Sequence, residues 1–312
     1  MSMTIEMAAG PAAAIVLLHR VQHGLSHPPV ELIYTPHDLW PIPKVPPIRP
    51  LRIMVLDSSF NPPTLAHLAL ANTRRPSYDE EIATKEDTDY DAKLLLLSIR
   101  NADKALKPGD ATYIQRLEMM ELLAKDVVSA GHGGGSQVAI AIIDEPTFVG
   151  KSSHLRTFFK NRFANFVQAS LTHTIYDTQL TFILGLDTLE RLVQPRYYSS
   201  ESQMITSLRK FLSPSPGGDD SRVVCACRTS PGLGNSQSAD ASGRADLALA
   251  AEFIASRRIV IVDIDENVRS YSSSEVRKTI GQLGSKAKEW RQFVPSRIAE
   301  YIVQESLYSV QL

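Results

Sequence analysis

Cysteine, charge of one sign and long apolar stretches are all scarce in this sequence. Only two of the 312 residues are Cys, which excludes a disulfide-rich secreted scaffold and favours a reducing compartment. Lys and Arg total 33 against 34 Asp and Glu, a net charge of -1. This balance argues against a protein that neutralises many nucleic-acid phosphates, but a small phosphate-bearing substrate needs only a few local cations.

No stretch reaches the ~20 consecutive apolar residues that a membrane-spanning helix requires. The longest N-terminal apolar run, residues 7–18, is interrupted by Gly10 and Pro11 and follows no basic region. A secretory signal is therefore not expected, and a short docking helix is predicted instead. We expect a protein of the cytoplasm, the nucleus or both, with neither a membrane nor a nucleic acid as partner.

Six short apolar runs are almost continuous rather than alternating, which is typical of strands covered on both faces. These predicted strands are residues 51–56, 94–98, 138–143, 180–184, 223–227 and 259–262. Helical patterns fall between or after them, at residues 64–72, 111–127, 245–255, 274–283 and 294–304. The alternation predicts an α/β fold: a Rossmann-like, doubly wound parallel sheet of about six strands with helices on both faces.

Several stretches do not fit that core. Residues 24–50 hold eight of the 19 Pro and are typical of an extended lead-in over the surface. Polar stretches near 73–92, with seven acidic residues, and 213–245 are predicted insertions. We therefore predict an N-terminal helix and lead-in over residues 1–50 and one domain over 51–312. The insertions could bind protein partners, and a homo-oligomer stays open.

The residues between 51 and 71 carry the clearest chemical signal. A predicted buried strand ends at Asp57, and a tight loop then leads to Pro62 and Pro63. Proline suits the first turn of a helix, and Asn61 is the predicted N-cap. This pattern places a helix start at the carboxyl edge of a parallel sheet, where free N–H groups favour an anion.

Thr64 and His67 are three residues apart on that predicted helix, so their side chains share a face. A hydroxyl and an imidazole would then approach the same anion. A lone His is more often a satisfied core or surface residue, but the preceding strand, loop and prolines favour the binding role.

Two later segments carry similar signals. Ser272, Ser273 and Ser274 open a predicted helix, and Arg277, one turn in, can fork onto phosphate oxygens. An ordinary helix cap with a surface Arg is the alternative.

Gly185 and Asp187 follow a predicted buried strand, where the carboxylate could bind ribose hydroxyls and Gly allows close approach. A plain turn is the alternative there. Lys104 and Lys151 are weaker candidates for the substrate side, with a solvated position favoured for Lys104.

The motifs that contain these residues resemble a known family. Residues 58–67, SSFNPPTLAH, resemble the GSFNPxTxxH form of the (T/H)xxH motif of the nucleotidyltransferase superfamily, closest to the nicotinamide-mononucleotide adenylyltransferases. Residues 271–277, YSSSEVR, are similar to its ISSTxIR signature. Between them, FILGLDTL at 182–189 and RLEMMELL at 116–123 resemble its GxDxL and RxxM segments. The order of these motifs over residues 51–305 resembles that of a divergent eukaryotic member of the family.

The resemblance implies an enzyme of the EC 2.7.7 class that moves AMP from ATP to nicotinamide mononucleotide, forming NAD and pyrophosphate by in-line attack. Mg²⁺ would accompany ATP, and no metal-ligating residue is assigned to the chain. The resemblance gives catalytic roles to His67, Thr64 and Arg277. The implied ATP-binding residues are Ser58, Ser59, Phe60, His67, Gly185, Asp187, Ser272, Ser273 and Arg277. The candidates for the acceptor side are Lys104, Phe148 and Lys151.

Two departures from the family pattern accompany the match. Ser58 stands where the family loop opens with Gly, which allows a positive φ and close phosphate approach. The Trp residues with which the family stacks the pyridine ring have no counterpart here, because Trp40 and Trp290 lie away from the matching region. Phe148 is the candidate substitute. A nucleotidyltransferase with another acceptor, such as a phosphopantetheine or CTP-using enzyme, stays open. So does a nucleotide-binding scaffold or chaperone-like protein without turnover.

Overall fold

A computed structural model contains seven strands and nine α-helices in the part of the chain it describes, residues 10–76, 89–100, 108–130, 137–227, 251–263 and 271–309. The strands are β1 Val30–Tyr34, β2 Leu51–Asp57, β3 Ala92–Ser98, β4 Val138–Ile143, β5 Thr178–Gly185, β6 Arg222–Cys227 and β7 Ile259–Asp263. The helices are α1 Pro11–Gln22, α2 Leu65–Ala71, α3 Tyr113–Ala130, α4 Phe148–Gln168, α5 Leu186–Leu192, α6 Glu201–Leu212, α7 Ala251–Ala255, α8 Ser273–Leu283 and α9 Ser296–Gln304.

All seven strands form one sheet in the order β1-β4-β3-β2-β5-β6-β7. Every neighbouring pair is parallel except β1 and β4, which are antiparallel. The predicted α/β fold is confirmed, with one strand more than the six expected. The extra strand is β1, which lies inside the Pro-rich segment predicted as an extended lead-in. It was missed because prolines flank a run of only five residues, a pattern that edge strands tolerate.

The N-terminal segment packs into the body of the protein. Helix α1 contacts β1 and α3. Trp40 is fully buried, and its indole N–H donates to the Gln137 carbonyl at 3.1 Å. Arg162 Nε donates to the Trp40 carbonyl at 2.7 Å. The division of the chain at residue 50 stays a prediction.

The core has two halves, one on each face of the sheet. Successive residues of a strand point to opposite faces, so Met54 and Leu56 pack on one side of β2, while Ile53 and Val55 pack on the other. Helices α1, α3, α8 and α9 cover the first face. Helices α4 and α6 cover the second.

Helices α4, α5 and α6 were not predicted from the sequence. Helix α4 is 21 residues long and mixes basic residues with several Phe, and aromatic residues have only modest helix propensity. Burial of Phe159 and Phe163 against the sheet fixes it. Within the described ranges, no helix has the length and apolar character needed to cross a membrane.

The topology decides where a ligand can bind. From β2 the chain moves through β3 and β4 towards one edge of the sheet, whereas β5, β6 and β7 extend it towards the other. The carboxyl ends of β2 and β5 are adjacent, with Leu56 opposite Ile183. Open α/β sheets bind ligands at such a switch point, where the following loops diverge. The loops after Asp57 and Gly185 therefore begin side by side.

Candidate active site

His67 is held in a defined orientation beside the loop that follows β2. The Thr64 backbone N–H donates to His67 Nδ1 at 3.0 Å. Because Nδ1 accepts this bond, the neutral ring carries its proton on Nε2. Nε2 lies 2.9 Å from Ser58 Oγ, so His67 donates to the serine hydroxyl.

Burial lowers the pKa of His67 to about 4. The ring is therefore neutral near pH 7 and acts there as a hydrogen-bond donor rather than as a cation. The Ser58 and His67 pair does not match a hydrolase nucleophile and its base, because a base would need an unprotonated nitrogen facing the hydroxyl. The pair suits donation to an anionic oxygen.

The cap of α2 differs from the prediction. Thr64, not Asn61, is the N-cap residue. The Asn61 amide instead donates to Asp110 Oδ1 at 2.8 Å and accepts from the Ala111 N–H and the Tyr308 hydroxyl. These three contacts give partners to both the oxygen and the nitrogen of a buried amide, as buried polar atoms require.

Thr64 does not share a ligand-facing side with His67. Its side chain is fully buried, and its hydroxyl donates to the Tyr271 carbonyl at 3.2 Å. Thr64 Oγ1 also lies 2.9 Å from His67 Nδ1. In this geometry Thr64 orients the imidazole and ties it to the start of α8.

The two sequence motifs meet at one place in the fold. Ser272 caps α8, accepting from the Glu275 N–H at 3.0 Å. Ser273 Oγ donates to the Pro62 carbonyl at 2.7 Å, and Arg277 Nη1 donates to the Asn61 carbonyl. The α8 start is thereby docked onto the loop that leads into His67.

Arg277 is anchored by more than that one bond. Its Nε lies 3.4 Å from Asp110 Oδ1, and its Nη2 lies 3.4 Å from Ser274 Oγ. The side chain is 29% exposed. The guanidinium charge is thus fixed beside the loop rather than extended freely into solvent.

A second arginine supports the loop from behind. Arg116 is buried on α3, where its Nε donates to the Ala111 carbonyl at 2.9 Å and its Nη1 to the Ser59 carbonyl at 3.4 Å. Burial lowers the pKa of Arg116, although Asp110 opposes the shift. The sequence match included this residue without giving it a role. The sequence signal that could have identified Arg116 is its position, as a charged residue, on the buried stripe of a helix.

A cavity of about 200 Å³ opens beside Ser58, between the loop after β2, the start of α4 and the end of α5. Four of the predicted residues line it: Ser58, Ser59, Phe148 and Lys151. It is also lined by Asp57, Ser98, Arg100, Pro146, Thr147, Thr188, Arg191, Leu192, Tyr197 and Tyr198, to which the sequence gave no binding role. His67 adjoins the cavity through its bond to Ser58.

An ion pair lies in the wall of this cavity. Lys151 Nζ is 2.6 Å from Asp57 Oδ2, and the two side chains are only 4% and 10% exposed. The ammonium also lies 4.9 Å from the centroid of the Phe148 ring. The ion pair therefore joins the end of β2 to the first turn of α4.

A close backbone approach shapes the start of α4. Thr147 caps the helix by accepting from the Gly150 N–H at 3.1 Å. A Cβ on Gly150 would lie 2.3 Å from the Glu145 carboxyl carbon. Gly150 therefore leaves room for the Glu145 side chain to lie across the helix start, where its carboxylate accepts from the Thr147 N–H.

The loop after β2 does not need glycine at Ser58. The residue with positive φ is Phe60, at 45°, and Ser58 is not among the positive-φ residues. Phe60 is fully buried, with its ring centroid 5.4 Å from that of His67. Phe60 thus packs behind the imidazole and is closed to a ligand in this conformation.

The remaining predicted residues lie elsewhere. Gly185 has φ of -82°, and a Cβ there would meet open space, so no close approach requires glycine. Asp187 is exposed in the first turn of α5. Lys104 falls outside the described residues. Trp40 and Trp290 are fully buried and belong to opposite halves of the core.

Comparison with known proteins supports the resemblance carried by the motifs. A curated protein of Schizosaccharomyces pombe named "Putative nicotinamide mononucleotide adenylyltransferase" is 30% identical to this chain over 176 residues. The chain is similar to a nicotinamide mononucleotide adenylyltransferase. The match covers 56% of this chain and 53% of the relative, so the chain spans about half the length of the curated relative it matches. No protein-family model matches the chain.

Two solved structures of a Plasmodium falciparum nicotinic acid mononucleotide adenylyltransferase, one complexed with APC and one with NaAD, are also similar to this chain. Their sequence identities to this chain are 12% and 14%, respectively. Each covers 83% of this chain and 97% of its own, with a TM-score of 0.44.

The two carboxylates nearest to the loop after β2 both have cationic partners. In the described part of the chain, no three His, Cys, Asp or Glu side chains group to hold a metal. Beside the loop, Asp57 is paired with Lys151, and Asp110 lies against Arg277. Mg²⁺ commonly takes one or two carboxylates and completes its shell with phosphate oxygens and water.

Proposed function

We propose that this protein transfers an adenylyl group from ATP to the phosphate of nicotinamide mononucleotide, forming NAD and pyrophosphate. The observation that carries the proposal is the neutral His67, whose protonated Nε2 faces the loop at the sheet switch point next to the cavity. The similarity over half the length of an adenylyltransferase supports the same reading.

The reaction needs alignment and charge neutralisation more than proton transfer. An oxygen of the acceptor phosphate attacks the α-phosphorus of ATP, and the bond to the bridging oxygen of pyrophosphate breaks. The attacking phosphate is already an anion near pH 7, so no general base is required. Catalysis by positioning and by donors aimed at the developing charge is sufficient in such transfers.

His67 would supply one of those donors. Its Nε2–H would exchange Ser58 Oγ for a phosphate oxygen, and the Thr64 N–H would keep the ring in the same tautomer throughout. A neutral donor suits this task, because it binds the oxygen without giving up its proton. Arg277 and the hydroxyls of Ser272 and Ser273, near the start of α8, would neutralise the pyrophosphate end.

The acceptor would occupy the cavity beside Ser58. The aromatic side chains of Phe148 and Tyr197 suit a planar ring, and Arg100 and Arg191 suit its phosphate. Mg²⁺ would accompany ATP as part of the substrate and neutralise phosphate charge.

One experiment separates this function from the alternatives. The purified protein is incubated with Mg²⁺ and either ATP or CTP, each phosphate acceptor is offered in turn, and pyrophosphate is measured. Release only with ATP and a nicotinamide-type mononucleotide supports the proposal. Release with another acceptor would identify a related nucleotidyltransferase, and nucleotide binding without release would identify a scaffold.

A further inference from the structure

We propose that Asp57, by neutralising Lys151, makes the cavity select an acceptor whose ring carries an uncharged amide over one whose ring carries a carboxylate. This inference rests on the proposed function and concerns the acceptor side of the same site.

The geometry makes Lys151 the most buried cation among the residues that line the cavity. Its side chain is 4% exposed, whereas Arg100, on the same wall, has a side chain that is 61% exposed. An unpaired buried ammonium would bind a ligand carboxylate strongly, because a buried charge without a partner gains a charge-assisted hydrogen bond from an opposite charge. Asp57 already provides that carboxylate at 2.6 Å.

The aromatic residues place a ring next to the ion pair. Phe148 lines the cavity, and its ring lies 4.9 Å from Lys151 Nζ. Tyr197 and Tyr198 also line the cavity. A flat heterocycle stacked on such a wall would bring its ring substituent towards the ion pair.

An amide and a carboxylate meet this ion pair differently. A carboxamide is neutral and has N–H groups that can donate towards Asp57. A ring carboxylate would have to lose its water and then face a carboxylate rather than a free cation. Like charges brought together in a desolvated site disfavour the wrong ligand.

The acceptor phosphate has other partners and is common to both ligands. Arg100 pairs with Asp144 at 3.0 Å, and Arg191 donates to the Asp187 carbonyl at 3.1 Å. Both residues line the cavity. Since the phosphate is shared, selection between the two acceptors falls on the ring end, where Asp57 and Lys151 lie.

The test compares nicotinamide mononucleotide with nicotinic acid mononucleotide in two assays, kcat/KM with MgATP and calorimetric binding without ATP. The wild-type protein is expected to favour the amide by about tenfold or more. Asp57→Asn releases Lys151, so the amide-to-acid ratio should fall by about tenfold or reverse. Equal use of both acceptors by the wild type, or an unchanged ratio in Asp57→Asn, overturns the proposal.

Asp91→Asn is the matched control. Asp91 is 12% exposed and lies 2.6 Å from Arg49, a similar ion pair at the opposite end of the strands. The same loss of one negative charge there should leave the ratio unchanged. If the amide-to-acid ratio changes as much as in Asp57→Asn, net charge causes the effect and the local mechanism is overturned.

A second variant covers the case in which Asp57→Asn unfolds. The double variant Asp57→Leu with Lys151→Met removes the buried cation and also the carboxylate that repels the acid and accepts from the amide, so the amide-to-acid ratio should fall below the wild-type value. An unchanged ratio would show that Asp57 does not set the preference and overturns the proposal. The binding assay keeps this test separate from the proposed function. If the protein binds the amide more tightly but releases no pyrophosphate, only the proposed adenylyl transfer is contradicted. If it binds neither mononucleotide, the proposed acceptor site is contradicted.

Discussion

Ser273 donates its hydroxyl proton to the carbonyl of Pro62 at 2.7 Å, although 211 residues separate the two in the chain. The bond lies between the start of α8 and the loop that leads into His67. Arg277 reinforces it by donating to the neighbouring Asn61 carbonyl. These hydrogen bonds join two segments that are far apart in the sequence into one polar junction.

That junction makes Arg277 a structural as well as a binding residue. In Arg277→Lys the planar fork is lost, so the contacts to Asn61 and Asp110 cannot both form. We expect the free energy of unfolding in urea to fall by about 1–3 kcal/mol, and kcat/KM for ATP to fall at least about tenfold. Arg297→Lys, at a 51% exposed position, is the control and should change neither. Wild-type values for Arg277→Lys would contradict both roles.

Removing the His67 imidazole should remove a donor to the phosphate. In His67→Ala we expect kcat to fall by about 10²–10³, as in sites that lose one preorganised donor. Steady-state pyrophosphate release measures the change, and thermal unfolding checks that the variant folds. The exposed His173 provides a control, because His173→Ala removes the same ring away from the cavity. Full turnover in His67→Ala would refute the proposed role.

The lowered pKa of His67 predicts how stability depends on pH. The folded protein binds this proton near pH 4, whereas an unperturbed His binds it near pH 6.5. As the pH falls from 6.5 to 4, the unfolded chain is protonated first, so the free energy of unfolding decreases over that window. Protonation of His67 lowers the free energy of unfolding by at most about 3 kcal/mol over this window.

Urea unfolding at pH 7, 5.5 and 4.5 measures that dependence. In His67→Gln the amide can still accept from the Thr64 N–H but cannot titrate, so the decrease should be smaller by the contribution of His67. Identical pH profiles for the two proteins would show that His67 is not the group responsible.

Ser58 competes with a ligand for the proton on His67 Nε2. In Ser58→Ala the imidazole loses its protein acceptor, and the free energy of unfolding should fall by about 1 kcal/mol. The KM for ATP should stay the same or fall, by roughly fivefold at most, because a phosphate oxygen no longer displaces the hydroxyl. A hundredfold loss of kcat would instead show that the hydroxyl takes part in the reaction.

The ion pair between Asp57 and Lys151 should be costly to break from one side. Lys151→Met leaves a buried carboxylate without its cation and should lower the free energy of unfolding by about 3–5 kcal/mol. The double variant Asp57→Leu with Lys151→Met should recover most of that loss, because no buried charge remains. Urea unfolding of Asp57→Leu, of Lys151→Met and of the double variant measures the coupling. Additive losses would show that the two side chains do not interact.

The sequence was most informative where the signal was local. Six of the seven described strands could be predicted because buried parallel strands form continuous apolar runs. The helix after Pro62 and Pro63 was also predicted, but both prolines precede its N-cap, Thr64, instead of lying in its first turn. The cap was misassigned because Asn61 is an excellent N-cap by type. Its contacts with Asp110 and Tyr308 come from segments distant in sequence, and they direct its amide elsewhere.

The candidate site was predicted unevenly for the same reason. His67, Ser273 and Arg277 could be found by motif, since each motif is a short run of residues. Arg191 and Tyr197 lack such a run, and only the packing of α5 and its neighbours brings them to the cavity. Lys151 was a weak candidate until the fold placed it on Asp57.

By itself the sequence determined the class of fold, the positions of six strands along the chain and the two polar motifs at helix starts, because hydrophobic periodicity and turn chemistry are local properties. The tertiary structure alone decided the tautomer of His67, the docking of α8 on the Pro62 loop and the pairing of Asp57 with Lys151. Each of these depends on hydrogen-bonding or charged partners whose positions are set by the packed chain.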